Sequence, residues 1–426
     1  MKRGRNKYEK LDGGGTVSTP LVVSDPHLGD LAQIGVSGSE ISSRSVYFAV
    51  CHRDWSACQI SSPLYKVDLA LSNSDSEDSE GSREPPGRVK LRRIATLETD
   101  IGGKTFISME SAGWIIGIGG SNPGGTIIFD TKDNKVIRGP KLIANKWCPV
   151  VAAVGYKIYA LSRLPDFVEE PDFVPWFEVL DLSKATITET EEGLTLDACS
   201  WEALPYPLCF PCKLTPKAYR RPPFITVSSS VVVEPYILIS LNQPTNCVYA
   251  FDTNTGKWHK IDDEYLPFVG HATQLGHGSS IFLASSRENG PINAYDIHVS
   301  VSSPENISSV ADKGGALKLS ITVFSIRNKH GEDVSAKKSI ITSLGKKHFC
   351  ELLSFEGCGR YLVYDKETKE SYPGKLYVQL CTYQKESHAL HGETSEIVVS
   401  CQQELTSRIR SSCGFSSAPI VFALSI

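Results

Sequence analysis

Methionine is almost missing, with 2 residues in a chain of 426, against 34 Gly and 24 Pro. Together with abundant Val, Ile, Ser and Thr, that balance favours short strands and turns over helices. No run of about 18 apolar residues occurs, which removes a membrane-spanning helix. A surplus of one sign of charge is lacking too: the formal net charge is −4, so no chain-wide cationic field recruits nucleic acid. The basic start, MKRGRNKYEKLDGGG, has no apolar core behind it and does not read as a secretory signal. The 12 Cys follow no regular framework, and in a chain made in the cytosol they read as reduced thiols. What remains is 41% hydrophobic and 22% charged, a globular composition able to bury a large core.

Residues 1–40 are Gly, Ser and charge with little apolar periodicity, and read as a disordered leader. From 41 to 426 one type of segment recurs. VYFAV (46–50), WIIGIGG (114–120), KIYALS (157–162), YILISL (236–241), IFLASS (281–286) and RYLVYD (360–365) are short apolar runs of strand character. A second strand follows each: LYKVDLA, TIIFD, FEVLD, VYAFD, INAYDI and KLYVQLCTY, five of them closed by Asp68, Asp130, Asp181, Asp252 or Asp296. A third follows after a turn: VKLRRIA, KVIRG, WEALP, KWHKI, LKLSITVFSI and EIVVSCQQ. A further strand precedes five of the units: KTFISME, PVVAAVG, TVSSSVVVE, HATQLG and FCELLSFE. A small antiparallel sheet cannot bury both faces alone. Stacking such sheets around an axis buries them, so the sequence predicts an all-β, six-bladed propeller.

Two stretches state the unit most clearly. YAFDTNTGKWHKI (249–261) and IIFDTKDNKVIR (127–138) both run a strand into Phe-Asp-Thr, turn, and resume. Asp252 and Asp130 end one strand, where a short carboxylate accepts bonds from turn amides. Gly256 and Asn134 stand where a left-handed backbone is needed, and both types tolerate it. Trp258 then fills the outer strand, where the other copy carries Val136; Trp201 has a comparable place.

With Gly119-Gly120 closing a strand, the Phe-Asp-Thr…Gly-Lys-Trp run and Trp201, residues 45–426 resemble kelch repeats. They are also similar to a plant group of kelch-like proteins, expanded in grasses, whose function is unknown. The resemblance implies a β-propeller and no particular activity. Copper-radical oxidases and proteins binding iron through Glu-x-x-x-Asp-x-x-x-His also occur among kelch propellers; the first are generally secreted, and the second motif is missing here. Many plant kelch proteins carry an F-box ahead of the propeller, but residues 1–45 are too short and polar for that domain. The first unit lacks an inner strand ahead of VYFAV. Residues 418–426 are expected to supply it and close the ring, with 16–24 as the alternative; closure removes two exposed strand edges.

Little catalytic chemistry stands out, and no metal or cofactor is expected. Cys209 and Cys212 form a CxxC, but a closed zinc site needs about four ligands and no second pair lies nearby. Cys51, His52 and Cys58 are read the same way. His271 and His277 share one side of a strand if the chain stays extended through both. The acidic insertion 72–87 reads as a disordered loop, with Ser74 and Ser76 as phosphorylation candidates because carboxylates follow them. The basic leader, with Lys2, Arg3, Arg5, Lys7 and Lys10, is a candidate nuclear address or phosphate contact, weighed against an ordinary solvated tail.

In a four-stranded antiparallel unit, the loop between the second and third strands shares a face with the loop leading to the next unit. That rule places 51–63, 163–176, 205–224 and 327–339 on one face. These loops mix aromatics with Arg, the composition of interface anchors. The candidate partner-binding residues are Arg53, Trp55, Phe167, Phe173, Trp176, Tyr219, Arg220 and Arg221, with Arg220-Arg221 stiffened by the following Pro pair. The function expected is a non-catalytic protein-interaction scaffold, a cytoplasmic or nuclear monomer that engages neither nucleic acid nor membrane. The alternative is a small-molecule or metal-dependent enzyme using the central channel.

Overall fold

The structure is a computed structural model that describes residues 18–20, 42–52, 62–71, 91–97, 103–120, 124–165, 175–207, 209–210, 225–242, 247–288, 290–301, 317–328, 339–356, 362–364, 371–373, 375–391, 394–410 and 415–426. The leader, apart from Ser18–Pro20, and the acidic insertion 72–87 lie outside them. The described residues form strands and turns with no helix long and apolar enough to cross a membrane.

The strands fall into antiparallel runs of four. Unit one is Phe415–Ser425, Ser42–His52, Ser62–Leu71 and Arg92–Leu97. Unit two is Lys104–Met109, Trp114–Gly119, Gly125–Asp130 and Lys135–Lys141. Unit three is Val150–Val154, Lys157–Leu161, Phe177–Asp181 and Trp201–Leu204. Unit four is Thr226–Val233, Tyr236–Asn242, Cys247–Asp252 and Lys257–Asp262. Unit five is Phe268–Gln274, Ile281–Ser286, Ile292–Val301 and Leu317–Asn328. Unit six is Ile340–Ser343, His348–Glu356, Lys375–His391 and Thr394–Arg410.

Residues alternate between two buried faces along these strands, which is the pleat of a sheet covered on both sides. In Ser42–His52, Val46, Phe48 and Val50 face unit six and pack with Cys350, Leu352 and Val378. Tyr47 and Ala49 face unit two and pack with Phe106, Ile115 and Phe129. The same division repeats at every junction. Ile116 and Ile128 meet Ile158 and Leu180; Tyr159 and Phe177 meet Ile239 and Phe251; Leu238 and Ala250 meet Phe282 and Tyr295; Leu283 and Ala294 meet Phe349 and Val399. The first strands of the units also touch in succession, and that of unit six touches that of unit one.

Phe415–Ser425 pairs antiparallel with Ser42–His52 over Val46↔Ser425 to His52↔Phe415. The C-terminal segment is therefore the inner strand of unit one. The alternative segment goes elsewhere: Ser18–Pro20 pairs with Thr186–Thr190. That strand belongs to a hairpin with Gly193–Asp197 inserted into unit three, and the hairpin lies parallel against Lys135–Lys141 of unit two.

Unit six corrects the strand assignment read from sequence. RYLVYD is not its second strand: Leu362–Tyr364 pairs with Ser371–Pro373 in a separate two-stranded hairpin. FCELLSFE takes that place, inside His348–Glu356, paired with Ile340–Ser343 on one side and Lys375–His391 on the other. The reason lies in burial. Phe349, Cys350 and Leu352 face two different cores, which suits a middle strand better than an edge.

The closing aspartates share one register, opposite the start of the second strand: Asp130↔Trp114, Asp181↔Lys157, Asp252↔Tyr236 and Asp296↔Ile281. Asp252 Oδ1 accepts from the amides of Asn254 at 2.9 Å and Thr255 at 3.4 Å. Asp130 Oδ1 does the same for Lys132 and Asp133, at 2.9 and 3.4 Å. Gly256 and Asn134 take positive φ, 69° and 54°. The Thr of each Phe-Asp-Thr has its own task. Thr253 Oγ1 donates to Pro235 O at 2.8 Å, and Thr131 Oγ1 to Gly113 O at 2.7 Å, tying this turn to the turn before it.

Candidate interaction face

Antiparallel order fixes which loops share a face: those between second and third strands, and those passing from unit to unit. Around units two and three this face is built by interlocked backbone. Gly119 and Gly120 have φ of 113° and 102°. A Cβ on Gly119 would come within 2.8 Å of the carbonyls of Gly103 and Lys146, so only glycine lets the connecting loop cross here. The Gly120 amide donates to those same two carbonyls, at 3.1 and 3.0 Å.

The loop crossing above, residues 142–149, is held by a buried ion pair. Lys146 and Glu178 side chains are both fully buried and in contact. Lys146 Nζ also donates to Pro175 O at 2.7 Å. Glu178 accepts from the amides of Ile143 at 2.7 Å and Ala144 at 3.2 Å. Burial pulls the Lys146 ammonium down in pKa, while the adjacent carboxylate opposes that shift. A buried pair of this kind is tolerated because nearly every donor and lone pair has a partner.

The residue after Lys146 points the other way. Trp147 is 58% exposed, yet its ring lies flat on Gly103, where a Cβ would sit 2.4 Å from it. Ile143, 48% exposed, stands on the same loop, and Leu164, 42% exposed, on the neighbouring loop of unit three. One face thus carries an indole seated on Gly103, with Ile143 on the same loop and Leu164 on another.

Closer to the inner strands of units three to five the same face is polar. Arg287 Nη2 donates to Ser228 Oγ at 2.9 Å and Ser229 Oγ at 3.1 Å, Nε donates to Leu266 O at 3.2 Å, and the guanidinium lies 4.3 Å from the Tyr265 ring centroid. Ser230 Oγ and His271 Nδ1 are 3.2 Å apart. His271 is exposed but set among many protein atoms, whose desolvating effect, with the Arg163 charge, lowers its pKa from the usual value. Cys148 is held in its thiol form by burial, which raises its pKa against the pull of Arg163.

Of the partner-binding residues expected from sequence, Trp176 is described, and it is a correction. It is 5% exposed and packs in the core between units three and four, so it supports the sheet from within. Arg53, Trp55, Phe167, Phe173, Tyr219, Arg220 and Arg221 lie outside the described residues, as do Ser74 and Ser76. Cys209 is described without Cys212, and burial raises its pKa to about 11. The two histidines do not share a strand: Phe268–Gln274 ends before His277, and Gly276 and Gly278 turn the chain with φ of 79° and 74°. Among the described residues, no group of three or more His, Cys, Asp or Glu is placed to hold a metal ion.

Sequence reasoning missed Trp147. Its signal is a lone Trp in a loop that the same face rule covers, but that loop is short, and only the long loops mix several aromatics with Arg.

Comparisons with known proteins add a family and little else. No curated protein is similar enough to match. A solved structure described as that of a candidate 6-phosphogluconolactonase from Bacteroides uniformis is similar over 90% of this chain and 99% of its own, at 10% identity and a TM-score of 0.34. The family model described as protein of unknown function (DUF1668) matches residues 43–405. The chain belongs to the DUF1668 family.

Proposed function

We propose that the units close into a six-bladed, kelch-type β-propeller that serves as a non-catalytic scaffold for a protein partner. The ring reading rests on the apolar cluster at each junction between units, including that between units six and one, and on the cyclic contact of the inner strands. Within that ring the protein acts as a monomer of the cytoplasm or nucleus, and binding uses the face that carries Ile143, Trp147 and Leu164.

The observation that carries the functional reading is the exposure of Trp147 on a loop clamped by Lys146 and Glu178. A large aromatic fixed in advance loses little side-chain entropy on binding, and such residues dominate interface energies. The expectation from sequence that Arg53, Trp55, Phe167, Phe173, Tyr219, Arg220 and Arg221 contribute to the same contact is part of this proposal. An adaptor role in ubiquitin ligation would require a separate ligase-binding partner.

The test is affinity purification from the native tissue with the wild-type chain and with Trp147→Ala/Ile143→Ser. The reading predicts loss of specific partners in the double variant at an unchanged melting temperature. A partner set identical to wild type removes this placement of the site.

A further inference from the structure

The seam between units six and one is apolar in its middle and polar toward one end. Val46, Phe48, Cys350, Leu352 and Val378 belong to the apolar part. That part is incompletely filled: a cavity of about 10 Å³ lies among Phe48, Val67, Leu352, Val378, Leu380 and Leu405. At the polar end Thr342, His348, Thr382 and Ser425 are all buried. The Ser425 amide donates to Thr342 Oγ1 at 3.0 Å, and the Ser425 hydroxyl donates to Ser343 O. The end of the C-terminal strand is therefore held to unit six at this place.

Strand alternation puts His348 on this seam, because Cys350 and Leu352, further along the same strand, pack against unit one. The residue is 7% exposed, and its Nε2 is closed to solvent with no hydrogen-bond partner. A neutral imidazole tolerates this, since one ring nitrogen carries no proton. An imidazolium does not, because both nitrogens then donate and the charge needs a counterion. The groups around it supply none. Lys347 adjoins it in the chain; Gln384 is its cross-strand partner, and Thr382 stands beside Cys350. Thr342 and Ser425 offer hydroxyls, and Arg44, alternating with Val46 toward unit six, places Nη2 4.0 Å from where a Cβ on Gly345 would lie. Glu351 faces the opposite junction by the same alternation. Burial, then the Lys347 charge, holds the His348 pKa below its usual value, against the contact with Gln384.

We propose that this seam is a pH-responsive joint: neutral His348 keeps the C-terminal strand seated against unit six, and protonation of His348 releases it. The inference rests on the closed ring proposed above. The folded state favours the neutral ring, so the seam is fully held above the ordinary histidine value of about 6.5. Its stability is lost as the pH falls from there toward the folded value. Over that range each pH unit raises the opening equilibrium about tenfold, as expected when one proton is taken up on opening.

Amide hydrogen exchange of the full chain from about pH 7.5 to about pH 5, corrected for intrinsic rates, tests it. The seam is read at residues 422–425 and the reference at Trp114–Gly119 of unit two, whose strands contain no histidine. The joint predicts that opening at the seam rises about tenfold per pH unit relative to the reference, and that His348→Gln abolishes this dependence. A seam no more acid-sensitive than unit two overturns the proposal, and so does a dependence that persists in His348→Gln. Should that variant fold poorly, the comparison within the wild-type chain decides. Seam amides already unprotected at about pH 7.5 would instead overturn the closed ring on which the joint rests.

Discussion

Trp258 is half-buried on the outer strand of unit four, yet it reaches across a junction. Its ring packs against Phe251 of its own unit at 5.1 Å and Phe177 of unit three at 5.4 Å, and its Nε1 donates to Pro205 O at 2.8 Å. Trp258→Ala removes both packing contacts and leaves a carbonyl without its donor, at a cost of about 3 kcal/mol. Chemical denaturation checks this, and a loss near zero would show that the indole is ornamental to the junction. Much at this scale was legible in advance. Phe-Asp-Thr followed by Gly or Asn states the turn because only certain side chains cap those amides and only certain residues accept positive φ. The seating of Trp147 was not legible, because it depends on what lies beneath the ring, and Gly103 is distant in sequence.

Between residues and the whole stand the loops and strands that each unit adds to the common plan. The loop 142–149 is the clearest case, because its path depends on the Lys146–Glu178 pair. Removing one member leaves the other charged and buried. Lys146→Met and Glu178→Gln each cost about 3–5 kcal/mol, and the double variant costs clearly less than the two together. Thermal and urea unfolding of the four proteins measures that coupling; additive losses would mean that the two side chains act separately. The Trp147 surface should loosen in the single variants as well. At this scale the sequence was a partial guide. Short apolar runs marked most strands, since a strand buried on both faces has to be apolar along its length. It misplaced unit six because RYLVYD is as strand-like as FCELLSFE, and the choice between them is made by neighbouring units. The hairpin of Thr186–Thr190 and Gly193–Asp197 has no clear signature in the sequence because its strands alternate weakly, with patterns of modest burial.

At the scale of the molecule, a single idea accounts for the architecture: sheets apolar on both faces are covered by one another in cyclic order. The expectation that residues 418–426 complete unit one follows from counting strands, and the pairing of Phe415–Ser425 with Ser42–His52 agrees with it. That strand does more than pair. Phe422 stacks on Phe106 of unit two with ring centroids 4.2 Å apart. Ala423 packs among the residues shared with unit six, and the Ser425 amide donates to Thr342 Oγ1 at 3.0 Å. One strand thus joins both ends of the array to each other. Without it two sheet edges open and the apolar faces of units one, two and six lose cover. The most direct measurement is the thermal unfolding of a chain ending at Ser417 beside the full-length chain. A closed ring predicts a markedly lower melting temperature for the shortened chain; an unchanged melting temperature would contradict closure and, with it, the account of how the face is built.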